Sequence, residues 1–172
     1  MPELLDDTTL SADDVLELLY RRDVAVGRLR VALGRTLGLS DGETLAVMHL
    51  AHGELTTARL AGILGLSSGG ATAFVQRLER LGHVKRRSHP RDQRSSLISL
   101  TPATREIVER AEASLGTGLE RALAGLDAAA QAAVAGFLAD LVELTEELTG
   151  EPEAERARRR GALQRPVPSR WG

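Results

Sequence analysis

Apolar residues in this chain recur mostly at three- and four-residue spacing, the period of helices that pack by one face. Ser11 is an N-cap, with Asp13 and Asp14 behind it in a first turn that favours negative charge. Val15, Leu18, Leu19, Val26, Leu29 and Leu33 then mark a long first helix that ends near Gly38. Ser40 and Glu43 make an S-x-x-E capping box that opens a second helix, with Ala46, Val47, Leu50 and Ala51 as its core stripe and an end near Gly53. Thr56 caps a short third helix, starting at Leu55-Thr56-Thr57, which Gly65 stops. Leu66-Ser67-Ser68 turns into a fourth helix, whose inner stripe is Ala71, Phe74, Val75, Leu78 and Leu81. Its opposite face carries Gly69, Gly70, Thr72, Ala73, Gln76, Arg77 and Arg80, and Gly82 ends it. Two helices of these lengths around a glycine-containing turn predict a helix-turn-helix.

Past Gly82 the period changes. His83 to Arg87 is short and extended, Ser88-His89-Pro90-Arg91-Asp92 has turn composition, and Ser96 to Leu100 alternates as a returning strand. The expected product is a β-hairpin with a basic tip. Thr101-Pro102 supplies a cap and an N1 proline for a long helix with Ile107, Val108, Ala111, Leu115 and Leu119 on its apolar side. Gly125 breaks that helix, and Asp127 caps a last one carrying Val134, Phe137, Leu138, Leu141, Leu144 and Leu148. The first and last helices hold more apolar surface than a small helix-turn-helix core can cover, so a partner chain is expected to cover it. Beyond Gly150 the chain turns polar and arginine-rich, with Pro152, Pro166 and Pro168, and is expected to be a mobile tail.

Composition narrows this further. The aromatic share is 2%, so the core must be built from Leu, Val, Ile and Ala, which suits helix-on-helix packing. The absence of cysteine excludes a disulfide framework and thiol redox sensing within these residues. No basic stretch followed by an apolar run opens the sequence, and no uninterrupted apolar run approaches the roughly 20 residues of a bilayer span. The expectation is a cytoplasmic protein with no membrane partner.

Net charge is −2, which by itself speaks against nucleic acid. Its distribution reverses that reading. Glu3, Asp6, Asp7, Asp13, Asp14 and Glu17 make the start of the chain acidic, whereas Arg77, Arg80, Lys85, Arg86, Arg87, Arg91 and Arg94 face only Glu79 and Asp92 within residues 77–94. The local field governs how a surface meets phosphate.

Other chemistry is sparse. His49 and His52 sit three apart on the second helix, with Glu43 and Glu54 near in sequence, but no clear third metal ligand accompanies them, and pocket-lining or hydrogen-bonded histidines are the reading adopted. No Ser/His/Asp set, phosphate loop or metal cluster has catalytic spacing. No enzyme activity, cofactor or metal is therefore expected.

The run Arg77-Leu78-Glu79-Arg80-Leu81-Gly82, then Val84 and Arg86, then Pro90-Arg91-Asp92-Gln93-Arg94-Ser95, then Leu100-Thr101, resembles the MarR family of bacterial transcription regulators, which reads R-L-E-x-x-G-x-V-x-R, D-x-R-S and L-T at nearly this spacing. The resemblance implies a mainly α (α+β) fold: a winged helix-turn-helix DNA-binding domain with N- and C-terminal dimerisation helices. The segments would be residues 1–38 (acidic leader and dimerisation helix), 39–101 (winged helix-turn-helix), 102–149 (C-terminal dimerisation helices) and 150–172 (tail). It further implies a homodimer on a pseudo-palindromic double-stranded operator, acting as a repressor released by a small, often aromatic or anionic effector bound between the first, second and fifth helices. The alternative is a constitutive or architectural DNA-binding protein without an effector.

On that resemblance the fourth helix enters the major groove by its N-terminal turns. Ser67, Ser68 and Thr72 would bond phosphates or base edges, Gly69 and Gly70 would let the backbone approach, Gln76 suits adenine, and Arg77 completes the face. The wing would contribute Arg87, His89, Arg91, Asp92 and Arg94, with Arg94 entering the minor groove and Asp92 orienting it. Arg86 is expected to serve structure through an ion pair. Ser67-Ser68-Gly69-Gly70, Ala73 and Gln93 depart from residues common in the family, so no operator sequence carries over.

Overall fold

The structure is a computed structural model that describes residues 9–148 apart from Arg91, with the side chains of residues 92–94 also outside the description. The leader before Thr9 and the arginine-rich tail beyond Gly150 lie outside it as well. Among the described residues nine elements follow in order: α1 (Ala12–Leu37), α2 (Asp41–Ala51), β1 (Leu55–Thr56), α3 (Thr57–Leu64), α4 (Ser68–Arg80), β2 (Val84–His89), β3 (Asp92–Leu100), α5 (Pro102–Ala124) and α6 (Ala128–Leu148). The chain divides into two compact units, one through Ala111 and one from Glu112.

Helix boundaries in the first unit follow local chemistry. The Ser11 backbone N–H and hydroxyl both donate to Asp14, whose own N–H donates back to Ser11 Oγ, closing a capping box at the start of α1. Thr56 and Ser67 cap α3 and α4 by accepting from the N–H groups of Arg59 and Gly70. Gly65, with φ of 64°, ends α3 in the left-handed conformation that glycine adopts without strain.

The core joins α2, α3, α4 and the sheet. Val47, Leu50, Leu60, Val75, Leu78 and Ile98 are fully buried, as are Ala46 and Ala51 of the α2 stripe. At α4 the inner stripe is Ala71, Val75 and Leu78 with Phe74 half-buried; Leu81, expected among them, is exposed, because it caps the helix as the chain leaves the 3.6-residue period. Only the last turns of α1 join this core, through Leu33, Gly34 and Leu37.

The sheet is antiparallel with strand order β1-β3-β2. β1 pairs Leu55 with Ile98 and Thr56 with Leu97, so the segment expected to start α3 first completes a sheet. The hairpin is longer than its composition indicates, since β3 begins at Asp92. Register slips between the Ser88–Ser96 and His89–Asp92 pairs, placing an irregularity next to the tip.

In the second unit, Asp127 caps α6 by accepting from Ala130 N–H, and Gln131 donates to the carbonyls of Leu123 and Leu126 across the turn. Leu115, Leu119, Leu123, Val134, Phe137, Leu138, Val142 and Leu144 are all exposed. By length and composition alone α6 is long and apolar enough to cross a bilayer, a test that the core helix of a soluble protein also passes. Asp140 in its body is a charge that hydrocarbon disfavours, by about 2.5–3.5 kcal/mol at a bilayer centre, and Glu143, Glu146 and Glu147 add further charge near its end.

Candidate nucleic-acid interface

The outer face of α4 is built by subtraction. Burial of Ala71, Val75 and Leu78 turns Ser68, Gly69, Thr72, Ala73, Gln76, Arg77 and Arg80 outward, all exposed, with Ser67 and Gly70 beside them. Ser67 Oγ accepts the Gly70 N–H at 3.2 Å, so its hydroxyl hydrogen is left to donate outward. The Thr72 hydroxyl donates to Ser68 O at 3.0 Å, and in that rotamer it can offer a ligand only acceptor lone pairs. A Cβ at Gly69 would meet nothing within 4 Å. The fold therefore does not require glycine there.

Two arginines of the expected DNA-contacting set, Arg77 on α4 and Arg87 on β2, have internal partners. Arg77 Nε lies 2.5 Å from Glu43 Oε1. Arg87 makes a two-pronged pair with Glu54, Nε to Oε1 at 2.9 Å and Nη2 to Oε2. Arg86 lies with Nε 3.3 Å from Glu79 Oε2 and with Nη2 donating to Thr72 O at 3.3 Å, so it ties β2 to α4 as the expected ion pair. Neither pairing is visible in the sequence, where Glu43 reads as a capping residue and both Glu43 and Glu54 read as neighbours of the histidines.

Both carboxylates titrate low. Burial pushes Glu43 up, but hydrogen bonds from the Ser40 hydroxyl and backbone, and then from Arg77, outweigh it and hold its carboxyl below the ordinary value. The Arg87 hydrogen bonds hold Glu54 low, assisted by the fields of Lys85 and Arg105. Arg87 is correspondingly raised.

His89 is half-buried at the end of β2. Arg91 and the side chains of Asp92 and Arg94 lie outside the described residues, so the wing tip enters through its backbone position alone. The hairpin base is fixed to α5: Thr101 Oγ1 donates to Gly82 O at 2.9 Å, Thr101 N–H donates to His83 O, and His83 Nδ1 lies 3.0 Å from Thr104 Oγ1.

Among the described residues no group of three or more His, Cys, Asp or Glu side chains is placed to hold a metal. His49 is half-buried, and burial together with the neighbouring His52 lowers its pKa. A cleft in the first unit runs between α1 and α2, lined by Arg30, Gly34, Arg35, Asp41 and Thr44. Arg30 is already held there by Asp41, at 2.7 and 3.3 Å.

A capped two-helix element whose second helix turns a polar face outward, followed by a basic antiparallel hairpin, defines a winged helix-turn-helix protein. Residues 37–95 match the family model described as MarR family, so the winged helix of this chain is similar to those of that family. The HTH-type transcriptional regulator YcgE of Bacillus subtilis is 34% identical over 80 residues, 45% of this chain and 51% of that protein. The chain thus spans about half the length of this curated relative. FabT of Streptococcus pneumoniae, solved in complex with DNA, has a similar fold, with a TM-score of 0.58 at 19% identity over 80% of this chain and 99% of that one. RV1404 from Mycobacterium tuberculosis gives 0.57 at 20% identity, over 81% and 97%. The winged helix-turn-helix fold expected from sequence is the fold found.

Proposed function

We propose that this chain is a dimeric, sequence-specific DNA-binding transcriptional regulator, a cytoplasmic repressor that leaves a pseudo-palindromic operator when a small aromatic or anionic effector binds. The observation that carries the DNA-binding reading is the outward face of α4. Its Ser68, Gly69, Thr72, Ala73 and Gln76 are small or polar, exposed and unneeded by the core, on a helix set by its inner stripe. The N-terminal turns of such a helix suit the major groove, where free N–H groups also favour phosphate. The hairpin then supplies the cations of a wing. FabT has been solved on DNA with this fold, which supports the same use here.

Dimerisation rests on exposed apolar surface. Leu16, Leu18, Tyr20 and Val31 of α1 are exposed, as are Leu115, Leu119 and Leu123 of α5 and Val134, Phe137, Leu138, Val142, Leu144 and Leu148 of α6. Water-facing leucine on this scale is what a partner chain buries. Effector release rests on the family resemblance.

The test is a mobility shift of DNA from upstream of the protein's own gene against a scrambled duplex of equal length at fixed salt. The reading expects one discrete complex with two protomers per duplex on upstream DNA and weaker, salt-sensitive binding to the scramble. Equal affinity for both duplexes overturns sequence specificity, and a complex with one protomer per duplex overturns the dimer.

A further inference from the structure

Glu43 is the most enclosed carboxylate that touches the outward face of α4. Its side chain is 4% exposed, and both oxygens are engaged: Oε2 accepts the Ser40 N–H at 2.9 Å and the Ser40 hydroxyl at 2.7 Å, while Oε1 accepts Arg77 Nε at 2.5 Å. Arg77 is 59% exposed, and only its Nε is engaged in a hydrogen bond among the described residues. A guanidinium held by Nε cannot swing freely, so its two terminal nitrogens keep one direction. Arg77 also lies four residues from Ala73 and seven from Gly70, on the same outward line of α4.

We propose that Glu43 is a positioning residue for DNA: it grips Arg77 by Nε so that Nη1 and Nη2 stand as a preset fork for one DNA phosphate per subunit. This inference rests on the DNA-binding reading and adds to it a residue in α2, outside α3, α4 and the hairpin. Two parallel N–H donors match two phosphate oxygens, a geometry a lysine cannot supply. Holding the fork in place removes part of the ordering cost that a free arginine meets on binding. The same α2 turn carries Asp41, which holds Arg30 of α1, so the position of the fork is tied to the α1–α2 junction.

The competing account makes Arg77 merely the counterion of a buried acid. The two accounts predict opposite signs. If Arg77 only neutralises Glu43, then Glu43→Gln frees a cation, tightens binding to any duplex and steepens its salt dependence. If Glu43 positions Arg77, the same substitution weakens binding despite the added positive charge.

The experiment is fluorescence anisotropy of the full chain with a labelled random-sequence duplex over a salt series, so that no operator need be known. Glu43→Gln and Arg77→Gln should each weaken binding about tenfold, the scale of a charged hydrogen bond, and flatten the slope of log K against log salt by about one per phosphate lost. Arg77→Lys should resemble Arg77→Gln, and the double variant should bind no worse than Arg77→Gln alone. Val108→Ala, in the core and away from the pair, should lower the melting temperature and leave affinity unchanged. Tighter or unchanged binding by Glu43→Gln overturns the proposal, as does wild-type affinity in Arg77→Lys, which needs no change at Glu43. A loss in Val108→Ala equal to that in Glu43→Gln also overturns it, since the effect would then report stability. Failure of the wild type to bind any duplex at low salt overturns the DNA-binding reading itself and this inference with it.

Discussion

Gly69 separates what the fold needs from what a ligand needs. It sits in the first turn of α4, and a Cβ there would meet only open space. Glycine costs a helix roughly 0.5–1 kcal/mol relative to alanine. Gly69→Ala should therefore raise thermal stability and, if α4 lies close against DNA, weaken binding to upstream DNA. A rise in melting temperature with unchanged affinity would remove Gly69 from the interface. At this scale the exposed face of α4 was legible in sequence, because Ala71, Val75 and Leu78 fix one side and so define the other. The partners of Arg77 on that face and of Arg87 on β2 were not. Arg77 and Glu43 are 34 residues apart, Arg87 and Glu54 are 33 apart, and no local pattern encodes such a pairing.

Caps and glycine stops made the elements legible, since each is decided within four residues. Ser11, Ser40, Thr56, Ser67 and Asp127 all stand where the helices begin. β1 was not visible, because two residues carry no period, and only pairing with β3 makes Leu55-Thr56 a strand. The close contact of α1 with α2 was equally hidden. A Cβ on Gly34 would lie 2.6 Å from Thr44 Oγ1 and 3.1 Å from the Leu39 carbonyl. Thr44 cannot yield easily, being fully buried with its hydroxyl bonded to Ser40 O at 2.8 Å. Gly34→Ala should destabilise by about 1–3 kcal/mol, more than the up to about 1 kcal/mol gained by removing a helical glycine, and denaturant melts would show it. A more stable variant would mean that α1 moves off α2 at no cost. Elements also set the response to acid. His49 has its pKa lowered in the fold, so its contribution is intact above the ordinary imidazole value of about 6.5 and is lost as pH falls below it. Glu43, also lowered, contributes above its unfolded value of about 4.3 and loses that as pH falls through the folded value. The melting temperature should first decline below about pH 6.5, and His49→Gln should remove that first decline while keeping the later one. An unaltered profile in His49→Gln would assign the first phase elsewhere.

For the whole molecule, the pattern of apolar stripes announced more surface than the first unit buries, and the structure leaves Leu16 and Leu18 of α1 and Phe137 and Leu138 of α6 exposed. What covers them is not written in one chain's periodicity, because a stripe on a helix specifies an apolar contact and not its owner. A chain stopped at Gly125 should lose part of that surface's cover and aggregate; a soluble, folded monomer would sink the dimer. The acidic leader, the wing-tip side chains and the arginine-rich tail lie outside the described residues, so the role of Arg94 rests on its place in the Asp92-Gln93-Arg94-Ser95 run. Arg94 also gives the most direct test of the central claim, that a pair of winged helices reads DNA. Titration of upstream and scrambled duplexes with the wild type and with Arg94→Ala, at one salt concentration, should show upstream affinity falling by about 1–3 kcal/mol per half-site, with helicity and melting temperature unchanged. Upstream affinity equal to wild type in Arg94→Ala would contradict it.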